Sequence, residues 1–233
     1  MADRRNLLAI DTASAQAAVA LHIGPDLLVR VLPAAQDQSR AVLPAVRELL
    51  AEAGLSRSSL GAIVLARGPG GFTGVRLGVA VAQGLAYGLD LPVVAVSNLA
   101  ALAHCAFAAA PGAKRALACV DARMREVYFA VYERESILLQ QPTAPERVGA
   151  PADMPLDLLA AGDVAAGSGL SQFPQSADAL RLRGVVMPAN LIQCDMADII
   201  ALGLAALERG EILAAAEAQP VYLREQVTAV TKQ

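Results

Sequence analysis

The chain has 233 residues, enough for one large domain or two smaller ones, of which 55% are hydrophobic and 18% charged. Its formal net charge is −3 and its basic residues form no run, so strong unaided binding of this chain to RNA or DNA is not expected. No apolar stretch reaches the roughly 18 residues that a membrane span requires, and the N-terminus lacks a signal-peptide core, so we expect a cytoplasmic protein without membrane contact.

The N-terminal part of the chain alternates short apolar runs with polar turns. The runs predict three strands with an antiparallel start, followed by an amphipathic helix that Gly54 closes, over residues 7–11, 17–21, 27–32 and 40–53. Another apolar run, 62–66, reads as a buried strand.

A glycine-rich loop over residues 67–74 joins this strand to a predicted helix over 75–89. A Walker A loop needs a lysine, and the first lysine of the chain is Lys114. The dinucleotide pattern G-x-G-x-x-G fails because Thr73 stands in place of its third glycine. Two interpretations stay open: a loop that binds an anion, or a turn that lets the helix pack closely.

The helix over 75–89 is apolar on nearly all sides. Gly74, Gly78, Ala82 and Ala86 recur every four residues and form a smooth stripe. Such a helix must be buried almost completely. The sheet can cover one side, and the other side requires a second helix from this chain or a partner protein.

The second half of the chain repeats the pattern of the first. The first half ends with a strand over 93–96, a helix that Ser97 caps and a break at Pro111. In the second half, strands are predicted over 116–122 and 127–132, near 136, and over 157–161 and 185–187. A loop is predicted over 140–155 and an amphipathic helix over 195–207. The repeat predicts a duplicated α/β fold of two mixed-sheet subdomains with flanking helices, over residues 1–110 and 111–233.

Two aspartates end equivalent predicted strands and are candidates for binding a nucleotide. Asp11 and Asp121 could each hold a metal-bound water near a phosphate, but Arg123 and Arg125 stand where a phosphate loop needs small residues. Both acids could instead cap their strands or pair with arginine. The predicted weak ATP or ADP site comprises Asp11, Thr12, Ser14, Asp121, Gly162 and Asp163, with the last two following the predicted strand 157–161.

Other cofactors and metal ions are not expected. The two histidines, His22 and His104, are not at ligand spacing, and the three cysteines are widely separated and read as buried free thiols.

Four segments together resemble the TsaB (YeaZ) family, which takes part in making threonylcarbamoyladenosine in tRNA. They are A-I-D-T-A at 9–13, G-P-G-G-F-T-G-V-R at 68–76, D-A-R-M-R-E-V-Y at 121–128 and P-V-Y-L-R at 220–224. Gly71 stands where the family usually has serine, and Gln38-Ser39 where it often has His-Ser. The resemblance implies an actin-like (ASKHA) fold.

The resemblance also implies a non-catalytic paralogue of TsaD. The metal-binding H-x-x-x-H of TsaD corresponds here to Asn98 and Leu102, which cannot replace a pair of imidazoles. The implied partners are a TsaD-type catalytic subunit and a TsaE-type ATPase, with a homodimer when the chain is alone and tRNA contacted only indirectly. The partner interface expected from it comprises Val42, Val46, Gly70, Gly71, Thr73, Gly74, Val75, Gly78, Val79 and Ala82.

The leading hypothesis is therefore a subunit without catalytic residues that activates TsaD for threonylcarbamoyl transfer to an adenosine beside the anticodon. The alternative is an actin-like ATPase or kinase that uses Asp11 and Asp121. A metallopeptidase is a third hypothesis, against which the lack of paired histidines argues.

Overall fold

The computed structural model describes residues 6–189 and 193–224. Its first sheet has the order β3-β2-β1-β4-β5. The first three strands are antiparallel neighbours, and the last two run parallel to β1. These strands are β1 (Leu7–Asp11), β2 (Ala18–Ile23), β3 (Asp26–Val31), β4 (Ala62–Ala66) and β5 (Val93–Val96).

The second sheet repeats this arrangement with one strand fewer, in the order β8-β7-β6-β9. Its first three strands are again antiparallel, and β9 runs parallel to β6. The strands are β6 (Arg115–Asp121), β7 (Val127–Glu133), β8 (Arg147–Gly149) and β9 (Val164–Ala166). The shared order, with an aspartate ending both β1 and β6, confirms the predicted duplicated α/β fold of actin-like type.

Helices cover the faces of both sheets. They are α1 (Gln38–Glu52), α2 (Phe72–Leu89), α3 (Asn98–Ala109), α4 (Ser168–Gln172), α5 (Pro174–Leu182) and α6 (Met196–Glu208). Ser97 caps α3 as predicted, since its hydroxyl accepts the Ala100 N–H. Within residues 6–189 and 193–224, no helix has both the length and the hydropathy to cross a membrane.

Among the residues that the structure describes, three clusters of buried apolar side chains hold these layers together. One lies between α1, α2 and the outer face of the first sheet. The largest lies between the two sheets, where α3 and α6 are sandwiched, and the third packs α5 against the far face of the second sheet. Cys119 and Cys194 are buried free thiols as predicted, whereas Cys105 is partly exposed.

The region after β7 differs from the prediction. The segment near 136 is a 3₁₀ helix (Arg134–Leu139) rather than a strand, and so is Leu156–Leu158 within the strand predicted over 157–161. In the strand predicted over 185–187, Val186 forms only an isolated bridge to Val164. Short apolar runs carry too little periodicity to separate a strand from a buried turn, and β8 and β9 lie outside every strand predicted here.

The last part of the chain returns to the first sheet. Helix α6 packs on β1, β2, β4 and β5. Leu213 bridges to Val93, and Ala218 lies in the cluster beneath α2. The division at residue 110 thus separates the strands of the two sheets, but α6 packs on the first sheet as well as on the 3₁₀ helix Arg134–Leu139, and residues 213–218 contact the first sheet and α2.

Candidate functional site

The carboxylate of Asp11 lies at the carboxyl end of β1 and is bonded on both oxygens. Oδ1 accepts the N–H groups of Ala13 (2.8 Å) and Ser14 (3.1 Å). Oδ2 accepts the Ser14 hydroxyl (2.5 Å) and the Asn98 amide (3.2 Å). Burial raises the pKa of Asp11, an effect that these hydrogen bonds oppose. Because a carboxylate offers about four lone-pair sites, the four donors occupy the group that a nucleotide site would need for a metal-bound water.

Asn98 fixes the glycine loop to the end of β1. Its backbone N–H donates to the Gly68 carbonyl (3.0 Å), and its Oδ1 accepts the Gly68 N–H (2.9 Å). Leu102, one turn further along α3, is 1% exposed in the core between the sheets. Asn98 and Leu102, the two positions at which the resemblance led us to expect a lost histidine pair, are therefore committed to hydrogen bonds and to packing. Within the described ranges, no group of three or more His, Cys, Asp and Glu side chains could hold a metal ion.

Asp121 ends β6 and pairs with the arginine that follows it. Its Oδ1 accepts the Arg123 N–H (2.9 Å), and its Oδ2 lies 3.2 Å from Arg123 Nη1. Arg123, Met124 and Arg125 have φ angles of 63°, 53° and 63°, so they form a left-handed turn without glycine. Such backbone is unfavourable for side chains of ordinary size. Arg224 braces the turn by donating to the Ala122 carbonyl (3.2 Å). Asp121 therefore caps the end of β6 and pairs with Arg123, and the turn after it does not have the small residues of a phosphate-binding loop.

Gly162 and Asp163 do not lie near Asp121. They precede β9, and the Asp163 carboxylate accepts the N–H groups of Arg115 and Ala160, both at 2.9 Å. Arg115 begins β6, and β6 and β9 are parallel, so Asp163 lies at the amino end of the strands and Asp121 at the carboxyl end. The structure therefore does not bring Gly162 and Asp163 together with Asp121 as the predicted ATP or ADP site requires, because the strand predicted before them does not form.

Ser168, rather than Gly162 or Asp163, contacts the end of β6. Its hydroxyl accepts the Asp121 N–H (3.1 Å). Gly167 before it has a φ of 123°, and a Cβ there would lie 2.0 Å from the Cys119 carbonyl oxygen. The segment Gly167-Ser168-Gly169 was the available sequence signal, but its meaning depended on placing β9 correctly.

Gly70 in the loop and Gly74 and Gly78 in α2 face residues 12–13, which directly follow β1. A Cβ on Gly70 would lie 2.4 Å from the Ala13 carbonyl oxygen, and one on Gly74 would lie 1.9 Å from that of Thr12. On Gly78 it would lie 2.7 Å from Thr12 Oγ1, which itself donates to the Gly74 carbonyl (2.6 Å). Of the two interpretations left open by the sequence, close helix packing accounts for these glycines.

This packing corrects the residues expected to contact a partner. Six of the ten are buried within the chain itself, namely Val42, Val46, Val75, Gly78, Val79 and Ala82. Gly70 and Gly74 are partly covered, and only Gly71 and Thr73 are exposed. The apolar faces of α1 and α2 pack on the first sheet, so the small-residue stripe points inward.

The opposite faces of α1 and α2 are exposed and form one surface. Helix α1 packs on β2 and β3 while α2 packs on β1, β4 and β5, so the two lie side by side. We call this the outer surface; its exposed residues include Leu43 and Arg47 on α1 and Arg76, Ala80, Gly84, Tyr87 and Gly88 on α2. Tyr87 is 85% exposed and Leu43 51%. Apart from the adjacent residues and the backbone of α2 itself, no atom of the described residues lies within 4 Å of a Cβ built on Gly84 or Gly88, so another helix can approach the α2 backbone closely there.

Comparison with known proteins places the chain among relatives of similar length. The family model described as "TsaD: tRNA N6-adenosine threonylcarbamoyltransferase" matches residues 31–155. The tRNA threonylcarbamoyladenosine biosynthesis protein TsaB of Escherichia coli K12 is 34% identical over 227 residues, which cover 95% of each chain. That of Haemophilus influenzae is also 34% identical, over 95% of this chain and 94% of the relative.

Two solved structures from Pseudomonas aeruginosa have the same fold. One, described as YeaZ, is 38% identical with a TM-score of 0.79, over 94% of this chain and 99% of that one. The other, described as an uncharacterized protein with similarity to peptidase YeaZ, is 39% identical with a TM-score of 0.80 over the same shares.

Proposed function

This chain belongs to the TsaB family, and we propose that it serves threonylcarbamoyladenosine biosynthesis in tRNA as a non-catalytic subunit that binds and activates a TsaD-type catalytic subunit. Two features together carry the proposal: the Asp11 carboxylate is fully hydrogen-bonded within the chain, and the outer surface is exposed. Both oxygens of Asp11 are filled by donors of the same chain, while the outer surface lacks a cover within the described residues.

In this proposal, threonylcarbamoyl transfer to N6 of the adenosine takes place on the TsaD-type subunit. The present chain supplies no side chain to that reaction. Asp11, Asp121 and Asn98 have structural roles, since each is hydrogen-bonded within its own chain at the end of a strand or the start of a helix. The family model that matches residues 31–155 carries the name of the transferase, which fits a paralogue that kept the fold.

The outer surface is the proposed docking site for TsaD. Complete burial of an exposed leucine contributes about 1.5–3 kcal/mol. Leu43 is 51% exposed and would contribute roughly half of that, and with the 85% exposed Tyr87 it would act as an apolar anchor. The small residues Ala80, Gly84 and Gly88 would let a partner helix pack against the backbone of α2. In the absence of TsaD, we propose that a second copy covers the same surface.

The remaining partners follow from the same arrangement. We propose that a TsaE-type ATPase docks on the pair formed with TsaD, and that tRNA reaches this chain only indirectly. Any binding of ATP or ADP to the chain alone would be weak, because Asp11 and Asp121 are already paired.

Reconstitution of the modification tests the proposal. Threonylcarbamoyladenosine formation is measured with TsaD, TsaE, the enzyme that supplies threonylcarbamoyl-adenylate, and tRNA, with and without this chain. We expect product formation to depend on the chain, and a folded Asp11→Asn variant to support the reaction as well as the wild type. If Asp11→Asn abolishes product while complex mass and thermal stability stay unchanged, the chain is itself catalytic and the proposal is wrong.

A further inference from the structure

Arg76 on the outer surface contacts two aromatic rings that also contact each other. Its guanidinium carbon lies 3.6 Å from the ring centroid of Phe72 and 5.4 Å from that of Tyr222. Its Nε donates a hydrogen bond to the Tyr222 hydroxyl (2.7 Å). The residues Phe72 and Tyr222 are 51% and 49% exposed. One side chain from the helix start and one from the C-terminal segment thus fix an arginine at the surface.

The C-terminal segment is itself anchored, so Tyr222 is positioned rather than loosely placed. The Val221 N–H donates to the Arg67 carbonyl (3.2 Å), and the Gln83 amide donates to the Ala218 carbonyl (2.8 Å). A surface arginine ordinarily loses rotamer freedom when it forms an ion pair, and a planar guanidinium that is already ordered loses less.

Arg76 lacks an acidic partner in the part of the chain that the structure describes, as does Arg47 on α1, but of these two arginines only Arg76 is held by aromatic rings. Arg67 faces Glu146, Arg123 faces Asp121 and Arg224 faces Glu126. Tyr222 accepts a hydrogen bond from Nε of Arg76, and the two terminal nitrogens of the guanidinium remain to bind another group. A carboxylate is the group that a guanidinium binds through two parallel hydrogen bonds.

We propose that Arg76 is a preordered anchor for a carboxylate on the protein that docks on the outer surface. The inference rests on the proposed function, and the occupant is an acidic side chain of the TsaD-type subunit. Arg76 lies on the same exposed face of α2 as Ala80, Gly84 and Gly88, so a partner helix along that face meets it at one end. Tyr222 is a positioning residue for this contact.

The surroundings favour a carboxylate over the phosphates of RNA. Binding to RNA relies on several cationic side chains acting together. Arg123 and Arg224 are already paired with acids, and the chain carries a net charge of −3. An unpaired guanidinium beside aromatic, apolar and small residues is instead typical of a protein interface, where arginine and aromatic residues are enriched.

The test measures affinity of the chain for purified TsaD by calorimetry and surface plasmon resonance, at low and high ionic strength. We expect Arg76→Gln to weaken binding about tenfold, mainly through faster dissociation, and to reduce the salt dependence of the affinity. The affinity of Arg76→Lys for TsaD should lie between those of the wild type and Arg76→Gln, since lysine keeps the charge but not the planar guanidinium. Tyr222→Phe, which removes only the hydroxyl, should weaken binding less than Arg76→Gln. The matched control is Arg183→Gln, which removes an exposed arginine beside α5 on the second sheet.

The outcomes separate this inference from the proposed function. If wild type does not bind TsaD, the proposed function fails. If Ala80→Arg abolishes binding but Arg76→Gln binds as wild type does, the docking surface stands and the anchor is refuted. A loss confined to self-association, or to tRNA binding by an intact complex, also refutes it, because the occupant would then be a second copy or RNA. Recovery of binding when Arg76→Glu is combined with a carboxylate-to-lysine change in TsaD supports it directly.

Discussion

Two alanine substitutions in one helix test whether the glycines of α2 divide into an inner and an outer set. Gly74 and Gly84 both lie in α2, and each substitution adds a single methyl group. At Gly74 the new Cβ would lie 1.9 Å from the Thr12 carbonyl oxygen, whereas at Gly84 no described atom outside the adjacent residues and the backbone of α2 lies within 4 Å. The two changes therefore share the gain in helix propensity and differ only in packing.

The magnitudes follow from these distances. Alanine stabilises a helix interior by about 1 kcal/mol relative to glycine, so Gly84→Ala should raise the free energy of unfolding by that amount. In Gly74→Ala the obstacle is backbone, and α2 must move away from β1 by more than 1 Å, to about the 3.4 Å of an ordinary contact. Overpacking of this kind costs about 1–3 kcal/mol or more, which outweighs the propensity gain. We expect a net loss of roughly 2 kcal/mol.

Thermal unfolding followed by circular dichroism measures both effects. In a chain of this size, 1 kcal/mol corresponds to about 2–4 °C in Tm. Gly74→Ala should therefore lower Tm by about 4–8 °C, and Gly84→Ala should raise it by about 2–4 °C. If the two variants have equal Tm, or if Gly84→Ala is the less stable, the assignment of Gly74 to the β1 contact is wrong.

Three further predictions concern the buried side chains of Asp11 and Cys119. Asp11→Ala should lower the free energy of unfolding in urea by about 3 kcal/mol, because the donors of Ala13, Ser14 and Asn98 lose their acceptor; a loss under about 1 kcal/mol contradicts the network. Since burial raises the pKa of Asp11, the folded chain binds this proton more tightly than the unfolded chain does. Stability relative to Asp11→Asn should therefore fall as pH rises from near the unfolded pKa of 3.8 through the folded value, and a rise over that window refutes the direction. Burial raises the pKa of Cys119 to about 12, so iodoacetamide should leave it unmodified in the native chain near neutral pH and modify it in urea, as mass spectrometry can show.

The elements predicted best are those with long or repeated signals. The strands ending at Asp11 and Asp121 were predictable because an apolar run stops at an acid in both halves of the chain. Helix α2 was predictable from its length, although it begins at Phe72 rather than Val75. The short strand β9 was not, because its three residues, a valine followed by two alanines, are too few to show a period.

The direction of the glycine stripe could not be predicted from the sequence. A glycine carries no side chain whose polarity marks the buried face, so the pattern at Gly74 and Gly78 fits either side of the helix. What decides it is the contact with Thr12, 62 residues away from Gly74 in the chain. The contact of Arg76 with Tyr222 spans 146 residues and gives no local signal either.

The most direct test of the central claim is the mass of the complex formed with TsaD, measured by sedimentation velocity for the wild type, Ala80→Arg and Ala108→Arg. Ala80 lies on the outer surface, and Ala108 is exposed on α3, so the second variant adds the same charge elsewhere. We predict that Ala80→Arg keeps the wild-type Tm but sediments separately from TsaD, whereas Ala108→Arg remains in the complex. Co-sedimentation of Ala80→Arg with TsaD at wild-type affinity would contradict the claim that the outer faces of α1 and α2 are the docking surface.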